Sequence, residues 1–392
     1  MLRHPRTAVV SILTAGVVAA GAATAAYAFA DPTDAPPTTT TTTSSTATPT
    51  GQERGTVYAN RKLASSRVPV GASRAQEYSY WTVSADRSSH LAVATVAIPK
   101  GHAPSGGWPV VVRASRGHGL SAACAPSRNP VAADVAGTAD LLHRGFAVIT
   151  PDYSSIGATT SPQYTDISTA ARMMVDAVQA GHTVVDGVVS PRWAVFGESQ
   201  GAAAAIALAR QATVWQSGDL DYRGSAAAGI PAGFDELLTG LSPSSPGVND
   251  AVVADVVYAL ASVTGYDLDD VLSASGKRLV AKAATACDDE LGQELRGVAL
   301  ASLVTKPLAS KPKLVTALRR SLNLPVSGFN RPLLLSQPLI NDDVMVPTAL
   351  RYLVDAQRSS NKVQTVSYFT GDQNEIVRRE RAAVGKFLTG LF

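Results

Sequence analysis

The chain has 392 residues, 45% hydrophobic and 17% charged, and 34 Lys and Arg against 31 Asp and Glu leave a net charge of +3. That apolar content is enough for a sizeable core and excludes wholesale disorder. The small charge excludes the concentrated basic surface that a nucleic-acid partner needs. Two cysteines exclude a disulfide-stapled miniature scaffold and a four-cysteine zinc site, and the six histidines show no H-E-x-x-H spacing, so no metal and no cofactor is expected.

In chain order, residues 1–30 read as an export signal. Arg3, His4 and Arg6 precede the uncharged run from Ala8 to Ala23, and Ala28 and Ala30 give an A-x-A pattern before Asp31. The competing reading is an uncleaved spanning helix, for which Ala8 to Ala30 is long enough. Residues 31–52 are rich in Thr and Pro, cannot bury apolar surface and read as an extended linker. Residues 53–392 then form the folded domain. Secretion is the expected location, with attachment to the cell envelope as the variant if the leader stays.

Within that domain, Leu91 to Ile98, Trp108 to Val112, Phe146 to Thr150 and Trp193 to Phe196 are short Val- and Ile-rich runs, the pattern of buried strands. Helical stretches lie between them at Ser168 to Ala180 and Gln200 to Gln211. Pro332 to Leu335, a helix near Pro347, Val363 to Tyr368 and a last helix from about Glu375 to Leu391 continue the alternation. This predicts an α/β fold, a mostly parallel sheet flanked by helices. The alternation stops between about 231 and 325, where helical periodicity dominates, which predicts a helical cap or lid inserted at the C-terminal edge of the sheet.

The chemistry concentrates at Gly197-Glu198-Ser199-Gln200-Gly201. A G-x-S-x-G is weak alone, but here an apolar strand leads in and a small-residue helix leads out, the setting of a nucleophile elbow. The glycines are needed where backbones approach closely, and the helix start aims N–H groups at a developing oxyanion. The alternative is an ordinary Gly-rich loop.

From about Tyr78 to Phe392 the chain resembles the secretory lipases of the α/β-hydrolase superfamily, the group that contains fungal lipase A. The resemblance rests on Cys124-Ala125-Pro126-Ser127, on Gly145-Phe146-Ala147-Val148 leading to Asp152-Tyr153, on the elbow with Gln200, and on Asp343-Val344-Met345-Val346-Pro347. It implies the α/β-hydrolase fold, a lipid or other acyl ester as small-molecule partner, and at most peripheral contact with a membrane. It further implies Ser199 as nucleophile, the Gln200 N–H as an oxyanion donor, and Asp343 as the acid, with Asp342 as the adjacent alternative. Asp343 also reads as a plain loop or capping aspartate. An exported protein with two cysteines is expected to pair Cys124 with Cys287, tying the insertion to the sheet domain; two buried thiols are the alternative.

Two departures from the family stand out. All histidines precede Ser199, and where the family's base follows a Tyr-x-x-Gly/Ala-Asp pattern, Tyr368 to Asp372 runs into Gln373, whose amide cannot take a proton near neutral pH. The family's oxyanion stretch, His-Gly-Thr-x-Gly, is replaced by Ser115-Arg116-Gly117-His118-Gly119, which puts Arg116 where a glycine is expected. His118 is the one candidate for a relocated base, against the plainer reading of an exposed loop histidine. His143 and His182 read as helix-end cations that complement the dipole. Three functions remain: a lipase or carboxylesterase with weak or lost turnover, a non-catalytic acyl-binding pseudoenzyme, and an active esterase that uses His118.

Overall fold

The computed structural model describes residues 53–84, 87–155, 166–339 and 346–392. The expected leader and linker, and both Asp342 and Asp343, lie outside the described residues.

The chain enters at an edge. β1 (Val57–Lys62) pairs antiparallel with β2 (Ala72–Val83), which pairs antiparallel with β3 (Ser89–Pro99). β4 (Trp108–Ala114) follows, buried at every residue, as expected of an apolar run covered on both faces. Next come α1 (Ala132–His143), β5 (Ala147–Ser155), α2 (Ile167–Val184), β6 (Val189–Glu198), α3 (Gln200–Trp215) and β7 (Asp221–Ala228). The nine strands form one sheet in the order β1-β2-β3-β5-β4-β6-β7-β8-β9, antiparallel as far as β3–β5 and parallel from β5 onward.

Between β7 and β8 the chain forms α4 (Phe234–Thr239), α5 (Asp250–Ser262), α6 (Ala274–Ala283), α7 (Asp288–Leu295) and α8 (Pro312–Leu322), with short 3-10 turns. These helices share their own apolar cluster, which takes in Val256, Leu279, Leu291 and Leu303 and reaches Ala203 of α3 and Leu120. Between Leu279 and Leu291 the helix is interrupted at Thr285 to Cys287, and α7 restarts with Asp288, Asp289 and Glu290 in its first turn, where acids suit the dipole. β8 (Leu333–Pro338), α9 (Val346–Ser359), β9 (Val363–Tyr368) and α10 (Gln373–Thr389) complete the fold.

One face of the sheet packs on α2 and α3 through Trp193, Val195, Met173 and Leu208. The opposite face packs on α1 and α10 through Val111, Phe196, Leu141 and Leu388. Strand alternation therefore assigns sides: Phe196 and Glu198 are two apart on β6 and belong to the α1/α10 face. β7 escapes a hydropathy scan because Gly224-Ser225-Ala226-Ala227-Ala228 is built for closeness, and a Cβ on Gly224 would lie 2.6 Å from the Pro332 carbonyl.

Candidate active site

The elbow is built by exclusion of side chains. A Cβ on Gly197 would lie 2.1 Å from the Gly201 carbonyl oxygen, and one on Gly201 would lie 2.2 Å from the Ala114 carbonyl oxygen. Between them Ser199 sits at φ 52° and ψ −118°. A non-glycine residue held there costs on the order of 1–3 kcal/mol, which the surroundings must overcome. They do so by pinning its backbone: Ser199 N–H donates to the Ala228 carbonyl at 3.0 Å, and its carbonyl accepts from Ala202 N–H at 2.9 Å. The hydroxyl does not cap α3, and it makes no hydrogen bond among the described residues. Gln200 opens α3, where the first N–H groups lack intrahelical acceptors and face the site.

Around the elbow lies a set of buried charges that the sequence did not reveal. Arg113, 1% exposed, reaches Glu198 Oε2 at 2.5 Å and Asp134 Oδ1 at 2.8 Å through Nη2. Asp134 Oδ2 in turn meets His118 Nε2 at 2.6 Å. His118 Nδ1 faces Asp288 Oδ2 of α7 at 3.7 Å. The chain of contacts thus runs from the residue preceding Ser199, through β4 and α1, to the loop carrying His118 and on to the helices after β7.

His118 is 4% exposed, so the expectation of an exposed loop histidine is corrected: its imidazole turns inward onto Asp134. Burial alone would pull its pKa down, but the hydrogen bonds and charges of Asp134 and Asp288 reverse this and lift it to about 9. Asp134 is held below the usual carboxylate range by His118 and Arg113, against the opposing effect of burial. His182 also departs from its expected role. Half-buried near the end of α2, it is pushed down by desolvation to about 4 and is neutral, so it adds no cation to that helix end. His143 does close α1, as expected.

Cys124 and Cys287 form a disulfide. Beside it Asp288 N–H donates to the His118 carbonyl at 3.2 Å, and Gly119 bridges to Cys287. Gly119 has φ 123°, and a Cβ there would lie 2.9 Å from the Ala286 carbonyl, so this contact requires glycine. Arg116 is half-exposed, with its guanidinium 4.0 Å from Glu198 Oε1. Gln200 is buried and its side chain meets Asp255 of α5, whose carboxyl burial pushes up to about 7. A carboxyl in that range exchanges protons near neutrality.

Gln373, by contrast, is exposed at the first turn of α10, capped by Asp372, which accepts from Asn374 N–H at 2.9 Å. Its side chain makes no hydrogen bond among the described residues. The structure therefore gathers Gln200, Arg116, His118 and the disulfide near the elbow, whereas Asp342 and Asp343 lie outside the described residues. Arg113, Asp134, Glu198, Asp255 and Glu380 of α10, whose carboxyl neighbours Glu198, were missed by sequence reasoning. Glu198 had a signal, as the charged residue inside the elbow motif.

No protein-family model matches the chain, and no curated protein matches it in sequence. Solved structures do match in fold. The rice cell wall degrading esterase LipA from Xanthomonas oryzae superposes with a TM-score of 0.67 at 19% identity, covering 86% of this chain and 98% of that one. A hydrolase from Legionella pneumophila gives 0.66 at 17% identity over 84% and 98%. Candida antarctica lipase A gives 0.63 at 17% identity over 85% and 83%. The nine-stranded sheet with flanking helices is thus an α/β-hydrolase fold. Within that class, the chain has the architecture of these esterases and lipases.

Proposed function

We propose that the chain is an exported acyl-ester hydrolase of the lipase and carboxylesterase kind whose turnover is weak or lost. Ser199 is the nucleophile, the Gln200 N–H is an oxyanion donor, and Asp343 or Asp342 is the acid. Residues 231–325 form the cap over the acyl chain. In full chemistry the Ser199 hydroxyl would add to the ester carbonyl, the α3 N–H groups would stabilise the resulting oxyanion, and the alcohol would leave an acyl-enzyme for water to cleave.

The observation that carries this reading is Ser199 itself, held at positive φ between two glycines whose neighbours leave no room for a side chain. Support for ester substrates comes from the esterase and lipase among the fold neighbours. Weak turnover follows from Gln373, which cannot remove the serine proton, and loss of such a base removes most of a triad's effect. His118 does not repair this. Both of its ring nitrogens face carboxylates, and with a pKa lifted to about 9 it is protonated at neutral pH and cannot accept a proton.

The pseudoenzyme reading predicts the same protein with no turnover at all, so the test is kinetic. Purified chain is assayed on short and long acyl esters beside Ser199→Ala and Gln373→His. We expect slow hydrolysis that Ser199→Ala abolishes, and a gain of roughly a hundred-fold or more in Gln373→His. Robust wild-type turnover would overturn the weak-site reading. Absence of turnover in every variant, with the fold intact, would leave the acyl-binding pseudoenzyme.

A further inference from the structure

Beneath the elbow, on the α1/α10 face of the sheet, lies a cavity of about 70 Å³ lined by Arg113, Arg116, Glu198, Glu380, Arg381 and Phe196, among others. Neither Ser199 nor Gln200 lines it. The cavity is too small for an acyl chain but accepts an oxyanion of a few atoms, since a water needs only about 10–15 Å³ by a comparable measure.

The charges around it are unevenly satisfied. Glu198 is occupied, with one oxygen on Arg113 at 2.5 Å and the other facing Arg116 at 4.0 Å. Arg113 is fully buried, yet its Nε and Nη1 hydrogens have no acceptor among the described residues. Leaving such donors unmatched costs about 1–3 kcal/mol, more for a charged group, so they mark a place for an acceptor. Gly137 of α1 makes this placement possible, because a Cβ there would lie 2.8 Å from Arg113 Nε. Arg381, at the cavity wall on α10, has no ion pair among the described residues.

We propose that this cavity binds a small monocarboxylate, held by Arg113 and Arg381 beside the Glu198–Glu380 carboxyl pair. Donors are what the cavity has to spare, so the ligand must be an acceptor, and a cation would face three arginines. A single negative charge matches the Arg381 guanidinium, which has no ion pair among the described residues, whereas a dianion would sit against Glu198. Planar carboxylate oxygens also suit the fork of a guanidinium.

Glu380 adds a pH dependence. Burial and the neighbouring Glu198 push its carboxyl up to about 7, opposed by Arg116 and Arg113. The other titratable groups around it are Arg381 on α10, Asp140 on α1 and Tyr368 of β9, with Asp134 reached through Arg113. Asp140 is taken up by Arg144 at 2.8 Å. A protonated Glu380 donates a hydrogen bond, and an ionised one repels the ligand. Binding therefore strengthens as pH falls through 7. A monocarboxylate is also the chemical class of the acid that ester hydrolysis releases. That origin rests on the proposed function, but the binding does not.

The test uses acetate as the probe and the full chain. Binding is followed by saturation-transfer NMR and by thermal shift, with sodium chloride at matched ionic strength as control. We expect acetate to bind about tenfold more tightly at pH 6 than at pH 8. Arg381→Gln should weaken it at least tenfold, and Glu380→Gln should keep binding but flatten the pH dependence. Ser199→Ala should bind as the wild type does, which separates this site from the ester site. The proposal is overturned if acetate acts no differently from chloride, if Arg381→Gln binds normally, if Ser199→Ala removes binding, or if inorganic phosphate binds where acetate does not.

Discussion

Two loops meet at the rim around Ser199, and they are built from different forces. The elbow, Gly197 to Gly201, is held by steric exclusion and backbone hydrogen bonds, and the serine hydroxyl makes no hydrogen bond among the described residues. The loop from Ser115 to Cys124 is held by charge: His118 is clamped between Asp134 and Asp288, with the disulfide beside it. In an efficient hydrolase a histidine belongs at the serine as a neutral base. Here the nearby histidine is a structural cation, and the position expected for the base carries an exposed glutamine. The first loop keeps the strained turn of an elbow, and the second has taken its charged residues into architecture.

The largest effect that separates the two should come from Gly201→Ala. The added methyl would meet the Ala114 carbonyl at 2.2 Å, and backbone on both sides prevents an inexpensive shift. We expect a loss of several kcal/mol in chemical denaturation, or failure to accumulate folded protein. Because no titrating group is involved, that loss should be the same at pH 7 and at pH 9.5. A loss that varied strongly with pH would show that the elbow leans on the charge network after all.

The charged loop should behave in the opposite way. A histidine whose pKa rises from 6.5 to about 9 on folding contributes stability that is complete below pH 6.5 and is lost as pH climbs through 9. The amount is roughly 3 kcal/mol. Wild-type unfolding free energy should therefore decline across that window, and His118→Gln should be less stable at pH 7 and lack this part of the decline. An equal slope in the variant would mean that the clamp carries no net stability. The disulfide closes a separation of 163 residues. It keeps Asp288 near His118 even when the imidazole is neutral, so the decline should appear as lost stability rather than as release of α7.

This contrast explains what could be read from the chain. The elbow was legible because its determinants are adjacent: two glycines, a serine, and apolar runs on either side. The alternation of β4, β5, β6, α2 and α3 was legible for the same local reason. β7 was missed because its alanines and glycine are chosen for close strand contact and not for hydropathy, and β1 and β2 because they carry many polar residues at a sheet edge. The charge network was illegible. Arg113 and Glu198 lie 85 residues apart and His118 and Asp134 lie 16 apart, and only the register of β4 beside β6 and the position of α1 bring them together. His118 was visible as a residue but not as a cation, since its charge is set by partners on two other elements.

The smallest effect concerns the strain that the elbow retains. Ser199→Gly places at φ 52° the one residue that adopts this conformation without a Cβ penalty. The gain from removing one to a few kcal/mol of strain is partly offset by the greater freedom of glycine in the unfolded chain, roughly 0.5–1 kcal/mol. A net stabilisation of about 1 kcal/mol is expected, seen as a small rise in denaturation midpoint with an unchanged slope. Ser199→Ala keeps the Cβ and should give no such gain, so the pair isolates backbone strain from loss of the hydroxyl. If glycine and alanine were equally stable, Ser199 would be unstrained, and the strongest sign that this chain still holds its serine for chemistry would be gone.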